Sequence, residues 1–317
     1  DHRDLHSFPT RRSSDLTFLV VVSQVSSSVI QPAFGWISDK VSTRWLLPAS
    51  LLLAGTGFLA LPLTKSYGAA VAAILLMGMG VAGYHPESSK LAFFSSGERK
   101  ASAMSIFAIG GNIGMAMGPM VMGLFLILVG LRGAIGFFLI AALTALLFWR
   151  MTPVLYRYAP SARSSSSGGV ARAGEEAGRG AIALLLVVIM LRSWTQTSMS
   201  TFIPLYYVSH LGMPTQVGSS LVTAYLAAGA VGTIIGGWVA DRWGRRQAII
   251  ASMLLAVPFT YLFPHTSGLG TYVVLILAGL SLFLSFAVTT VLGQEMMPRN
   301  VGLASGLTLG FSVGTGG

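Results

Sequence analysis

Cysteine is absent from all 317 residues, which excludes a disulfide framework and every thiolate metal site. Charge is almost as scarce. Only 9% of residues are Asp, Glu, Lys or Arg, against roughly 25% in an ordinary soluble domain, so a water-facing shell cannot be built around a fold of this size. Acidic residues are fewest, 10 against 20 Lys and Arg, and neither a nucleophile–base pairing nor a metal-ligand cluster is visible. The chain is apolar instead. Hydrophobic residues make up 53%, in many stretches of the roughly 20 residues that cross a hydrocarbon core of about 30 Å. That composition implies an all-α polytopic membrane protein.

Apolar length places helices at about 17–38, 44–64, 68–94, 101–129, 132–152, 180–208, 216–240, 245–264 and 271–295, with another opening near 300. If successive breaks alternate sides, one side collects Lys40, Arg44, Arg99, Lys100, Arg150, Arg157, Arg242, Arg245, Arg246 and Arg299, among others. The opposite side holds only Lys65 and Arg132. This asymmetry predicts that the basic breaks are cytoplasmic. The net charge of +10 is therefore read as topology, and no nucleic-acid partner is expected. The partners are a lipid bilayer, a small molecule and protons. No cofactor is expected, and a multi-pass monomer in the cell inner (plasma) membrane is.

The chain also repeats itself. Gly35-Trp36-Ile37-Ser38-Asp39-Lys40 returns as Gly237-Trp238-Val239-Ala240-Asp241-Arg242, the aspartates 241 − 39 = 202 positions apart, and Ser105, Gly110 and Gly114 return as Ser305, Gly310 and Gly314. Two pseudo-symmetric bundles follow, one over 17–152 and one over 180–317. A Gly/Ser-rich linker over 153–179 separates them. Two helices precede the motif in the second half and one in the first, so the repeat implies a twelve-helix whole of which about ten lie here. Residues 1–16 lack the apolar pattern and include a run resembling translated sequencing adaptor; they are set aside as a non-native or disordered leader.

Several local patterns carry chemistry. A glycine lets backbones approach closely, and an aspartate at a helix end accepts from free amides or holds a basic neighbour. Gly35, Asp39, Lys40 and Arg44, with Gly237, Asp241, Arg242, Arg245 and Arg246, are thus expected to form a gate. Gly110, Gly114, Gly118 and Pro119 are expected to make a smooth face for close helix packing, with a bend at the proline. Gly78-Met79-Gly80-Val81-Ala82-Gly83 spells a dinucleotide loop, yet it lies inside an apolar helix with no strand before it, so packing glycines are the better reading.

Ionisable groups at bilayer depth are functional candidates by default. In Tyr84-His85-Pro86-Glu87-Ser88-Ser89-Lys90, Glu87 and Lys90 share a helix face. Glu87 is the first choice for a titrating group and His85 a companion, the alternative being that both merely cap the helix end. Arg192 falls about twelve residues, roughly 18 Å, into its helix. Its run Arg192-Ser193-Trp194-Thr195-Gln196 offers a cradle for a phosphonate or carboxylate; alternatively Arg192 pairs internally with Glu295 or Glu87. Gln31, Asn112, Gln196 and Glu295 complete the candidate substrate and proton residues.

The Gly-x-x-x-Asp-Arg/Lys pattern, followed in the second copy by Gly244-Arg245-Arg246, resembles the loop motif of the major facilitator superfamily. The first copy departs from it, with Lys40 for arginine and Ser42-Thr43-Arg44 for Gly-Arg-Arg. Gly114 to Pro119 is similar to the glycine–proline motif of its proton-coupled drug antiporters, with Met122 where glycine is usual. His85-Pro86-Glu87-Ser88-Ser89, Ser105-Ile106-Phe107 to Gly110-Gly111-Asn112, Gln31-Pro32 and Gln294-Glu295-Met296-Met297-Pro298 resemble the fosmidomycin-resistance branch. The resemblance implies proton-coupled efflux of an anionic drug by alternating access and no enzymatic activity. A symporter for a small metabolite and a non-transporting sensor or scaffold are the alternatives.

Overall fold

The computed structural model describes residues 8–41, 44–157 and 178–314, with side chains from residue 17 onward except at 313. Every ordered element among them is helical, as lipid requires of a backbone that must satisfy its own hydrogen bonds. The first half comprises α1 (Phe8–Val29), α2 (Gln31–Lys40), α3 (Leu46–Ala60), α4 (Tyr67–Ser95), α5 (Lys100–Val129) and α6 (Gly133–Leu155). The second comprises α7 (Arg179–Leu205), α8 (Thr215–Trp243), α9 (Arg245–Leu262), α10 (Leu269–Phe283), α11 (Phe286–Met296) and α12 (Val301–Gly314). Eight stretches are long and apolar enough to cross a membrane, one of which holds both α5 and α6.

Two expected helices are each broken into two, and the breaks have local causes. Between α1 and α2, Pro32 enters at the first turn and withholds an amide. Ser26 and Ser27 donate back to carbonyls of Ser23 and Gln24 at 3.2 and 3.1 Å. Between α10 and α11, the Ser252 hydroxyl donates to the Ser281 carbonyl at 2.6 Å and to Ser285 at 3.0 Å. Buried backbone at this break thus has a partner. The first helix begins at Phe8, inside the stretch assigned to the leader, while residues 1–7 and most of the expected linker, 158–177, lie outside the described residues.

Glycines carry much of the packing, though not where their spacing alone suggests. Gly80 lies against Ser50 and Ala54 of α3, and Gly78 against Ser26 of α1, which confirms the packing reading of that run. Gly110, Gly114 and Gly118, by contrast, have nothing within 4 Å of where a Cβ would sit, and Pro119 is exposed. Among the described residues α5 meets α8 at its Ala101–Ser105 end and α6 through Phe125 near its other end, and no neighbour covers the glycine face between them. Its counterparts Gly310 and Gly314 pack on Ser28. Four-residue spacing makes close approach possible without choosing a neighbour. Gly110→Ala and Gly114→Ala are accordingly expected to hold or raise thermal stability in detergent, alanine being about 1 kcal/mol better than glycine in a helix. Gly306→Ala and Gly310→Ala, facing backbone oxygens of Gln31 and Ser28 at 2.5 and 2.7 Å, are expected to lower it.

Candidate functional site

At the basic end of the molecule the two Gly-Trp copies do the same thing in opposite directions. Asp39, in the last turn of α2, accepts from the backbone amides of Gly302 and Leu303 at 2.9 and 2.8 Å. Asp241, near the end of α8, accepts from those of Ala101 and Ser102 at 3.0 and 2.8 Å. Each carboxylate thus caps the amino terminus of a helix in the other half, where free amides and the helix dipole both favour negative charge. The repeat glycines permit the approach. A Cβ on Gly302 would lie 2.6 Å from the Gly35 carbonyl oxygen, and one on Gly237 would lie 2.7 Å from that of Ala101. The ends of the two halves are latched together at two pseudo-equivalent places.

The basic residues of the motif divide. Arg245 reaches Asp241 at 3.3 Å, Glu295 at 3.1 Å and the Ala240 carbonyl at 3.1 Å. It can do so because Gly244, at φ +104, turns the chain sharply between α8 and α9. Lys40, Arg44, Arg242 and Arg246 are exposed, and Arg242 lies over the Trp238 ring at 5.5 Å. These four lie outside the latch contacts of this closed state. Ser42 and Thr43 lie outside the described residues.

Behind the first latch sits a buried charge cluster. Glu87 is 0% exposed; its Oε2 lies 2.9 Å from Lys90 Nζ, and its Oε1 accepts from the Tyr156 hydroxyl at 2.5 Å. Lys90 donates in turn to the Ser38 carbonyl at 2.8 Å and to the Ser38 hydroxyl. Burial and the Glu87 charge raise the Tyr156 phenol above its ordinary value, so it remains a donor across the physiological range. His85 is not part of this cluster and meets the Tyr84 ring edge-on at 5.7 Å.

A second buried charge lies in the other half. Arg192, 1% exposed, donates to Gln196 Oε1 at 2.9 Å and to the Ser312 hydroxyl of α12 at 2.8 Å, and stacks over Phe286 at 4.8 Å. Its Nε has no partner. Among the described residues no carboxylate reaches it: Glu87 is paired with Lys90 and Glu295 with Arg245. Both expected internal partners are thereby excluded. Tyr225 of α8, 0% exposed with an unpartnered hydroxyl, is in electrostatic reach of Arg192. Tyr225, Phe283 and Phe286 form a chain of rings with centroids 5.8 and 6.5 Å apart. An unpaired cation among neutral polar groups and aromatic faces has the chemistry to bind an oxyanion.

The family model for the Major Facilitator Superfamily matches residues 9–317. The chain belongs to the major facilitator superfamily. It is 33% identical over 303 residues to the fosmidomycin resistance protein of Escherichia coli (strain K12), covering 94% of this chain and 74% of that protein. Identity is 34% over 315 residues to an uncharacterized MFS-type transporter, YfnC, of Bacillus subtilis (strain 168), covering 96% and 77%. The fold also resembles a crystal structure of the E. coli fucose:proton symporter, with a TM-score of 0.72 at 14% identity over 95% of this chain and 82% of that one. The protein is an integral membrane transporter of small molecules, not an enzyme.

For a major facilitator transporter the remaining expected residues are distributed unevenly. Glu295 belongs to the latch with Arg245 rather than to a substrate cavity, because it ends α11 at the basic face. Trp194 is 49% exposed and Thr195 bonds back to Leu191, so the expected five-residue cradle reduces to Arg192, Ser193 and Gln196. Successive helical residues are rotated by about 100° and cannot all face one site. Gln31 is buried against α12 with Oε1 unpartnered, and Asn112 sits on the free part of α5, half-buried. Sequence reasoning missed Tyr225, Phe286, Ser312, Ser38 and Tyr156. Only Tyr225 had a signal, as a polar ring deep in an apolar run.

Proposed function

We propose that this transporter exports a small oxyanion in exchange for protons by alternating access, with the basic face cytoplasmic and the inner membrane as its site. The observation that carries the reading is Arg192: a fully buried guanidinium, near mid-membrane, with hydrogen-bonding neutral neighbours and no counter-ion among the described residues. A charge so placed is costly unless a ligand completes it. Arg192 anchors the anion, with Gln196, Ser193 and Ser312 holding the guanidinium in place and the Tyr225 hydroxyl as a second donor. Glu87 is the titrating group. Both latches are closed at the basic end, which fits a state open to the opposite side.

Similarity to a fosmidomycin resistance protein makes that phosphonate the first probe. Expression of the complete gene in a pump-deficient host is expected to raise fosmidomycin resistance. Tyr225→Phe should weaken apparent substrate affinity by about tenfold, the worth of one hydrogen bond to a charged group, without changing the maximal rate. Resistance to other drugs with none to phosphonates would reject the substrate class while leaving the fold intact.

A further inference from the structure

We propose that Lys90 is a positioning residue that makes the Asp39 latch answer to the charge on Glu87. The proposal rests on Glu87 as the titrating group. Lys90 donates to the carbonyl of Ser38, the residue before Asp39. That carbonyl lies in the last turn of α2, where carbonyls lack intrahelical partners and a cation is favoured. Lys90 therefore fixes the end of α2 from which Asp39 reaches the amides of Gly302 and Leu303. At 8% exposure, Lys90 needs a counter-charge to stay there, and Glu87 Oε2 at 2.9 Å supplies it.

The surroundings contain little else to compensate. Tyr156 donates to the other Glu87 oxygen from beyond α6. Asp39 on α2 is in electrostatic reach of both Glu87 and Lys90, and Arg44 faces Tyr156. His85, two residues from Glu87, projects from another side of α4. A proton arriving on Glu87 Oε2 removes the carboxylate charge and leaves Lys90 buried without an ion-pair partner, Asp39 remaining as a counter-charge beyond pairing distance. Lys90 then leaves Ser38 for water, the end of α2 is freed, and the Asp39 cap on α12 loosens. Among the described residues the second latch has no such relay. Arg245, Asp241 and Glu295 are all partly exposed, so water screens them. The pseudo-symmetric gate thus has one proton-sensitive side and one proton-indifferent side, and a proton on the first half favours opening of the basic face.

The absence of cysteine makes the test direct. Ala304, 1% exposed in the first turn of α12, is replaced by cysteine in the complete protein in lipid nanodiscs, where both faces are accessible. Maleimide labelling is read against an exposed Ser95→Cys reporter, which corrects for thiol ionisation. Normalised labelling of Ala304→Cys is expected to be about tenfold faster at about pH 5.5 than at about pH 8. Adding Glu87→Gln should make it fast at both. Adding Lys90→Met, or Lys90→Gln where methionine is not tolerated, should remove the pH dependence, and Lys90→Arg should retain it. A pH response that survives Glu87→Gln would overturn Glu87 as the titrating group. One lost in Glu87→Gln but intact in Lys90→Met and Lys90→Gln would leave that role standing and overturn the relay. No pH response in the Ala304→Cys protein itself would overturn both.

Discussion

Replacement of Arg192 by alanine is expected to abolish transport without destabilising the protein. Truncating a buried, charge-assisted contact to a ligand costs roughly 2–5 kcal/mol, so transport efficiency for fosmidomycin should fall by about 30-fold to several thousand-fold. Arg192→Lys should recover only part of this, because an ammonium lacks the planar fork that keeps two donors engaged with Gln196 and Ser312 while a third is free. Stability should respond in the opposite sense. A buried cation without a counter-ion is a liability to the empty protein, and Arg192→Met is expected to leave its thermal midpoint unchanged or higher. A structural arginine would show the reverse pairing, with stability lost first. Lys90→Met provides the contrast: it strands the Glu87 carboxylate at 0% exposure, and a loss of about 3–5 kcal/mol in stability is expected.

The second large effect is expected at Gly302. Its α-carbon stands where any side chain meets the Gly35 carbonyl oxygen at 2.6 Å and Asp39 Oδ1 at 2.8 Å, and backbone atoms cannot rotate away. Gly302→Leu should therefore prevent the first latch from closing. Overpacking of this kind costs about 1–3 kcal/mol or more, enough to shift an open–closed equilibrium by up to about 100-fold. Exchange should stop, and cysteine at position 304 should be labelled quickly at every pH. Gly110→Leu on the free part of α5, with nothing within 4 Å, should leave this closed state unchanged.

How much of this was visible in advance varies by residue. The aspartates were legible because a Gly-x-x-x-Asp unit repeated at 202 positions can only be a pair of equivalent helix ends, and equivalent ends in a two-bundle fold meet the other bundle. Which arginine serves Asp241 was not. Arg242, Arg245 and Arg246 are chemically alike, and the choice is made by the turn at Gly244 and a 3.6-residue period. The isolation of Arg192 was equally hidden, since it depends on Glu87 and Glu295 being claimed by partners on other helices. The α5 glycines show the limit most plainly: a smooth face is written in the sequence, but its neighbour is decided by how two bundles tilt. The break at Leu284–Ser285 was masked by the apolar run around it, whereas the one at Ile30 was marked by Ser26-Ser27-Ser28 and Pro32 but passed over by a reading of apolar length alone.

Exchange of an oxyanion for protons through Arg192 is tested most directly by proton movement itself. The complete protein is reconstituted in liposomes enclosing a pH-sensitive dye, and a fosmidomycin gradient is imposed. Protons are expected to move against the direction of fosmidomycin flow, with no movement in Arg192→Ala. Protons moving in the same direction as fosmidomycin, or an undiminished exchange in Arg192→Ala, would contradict the account.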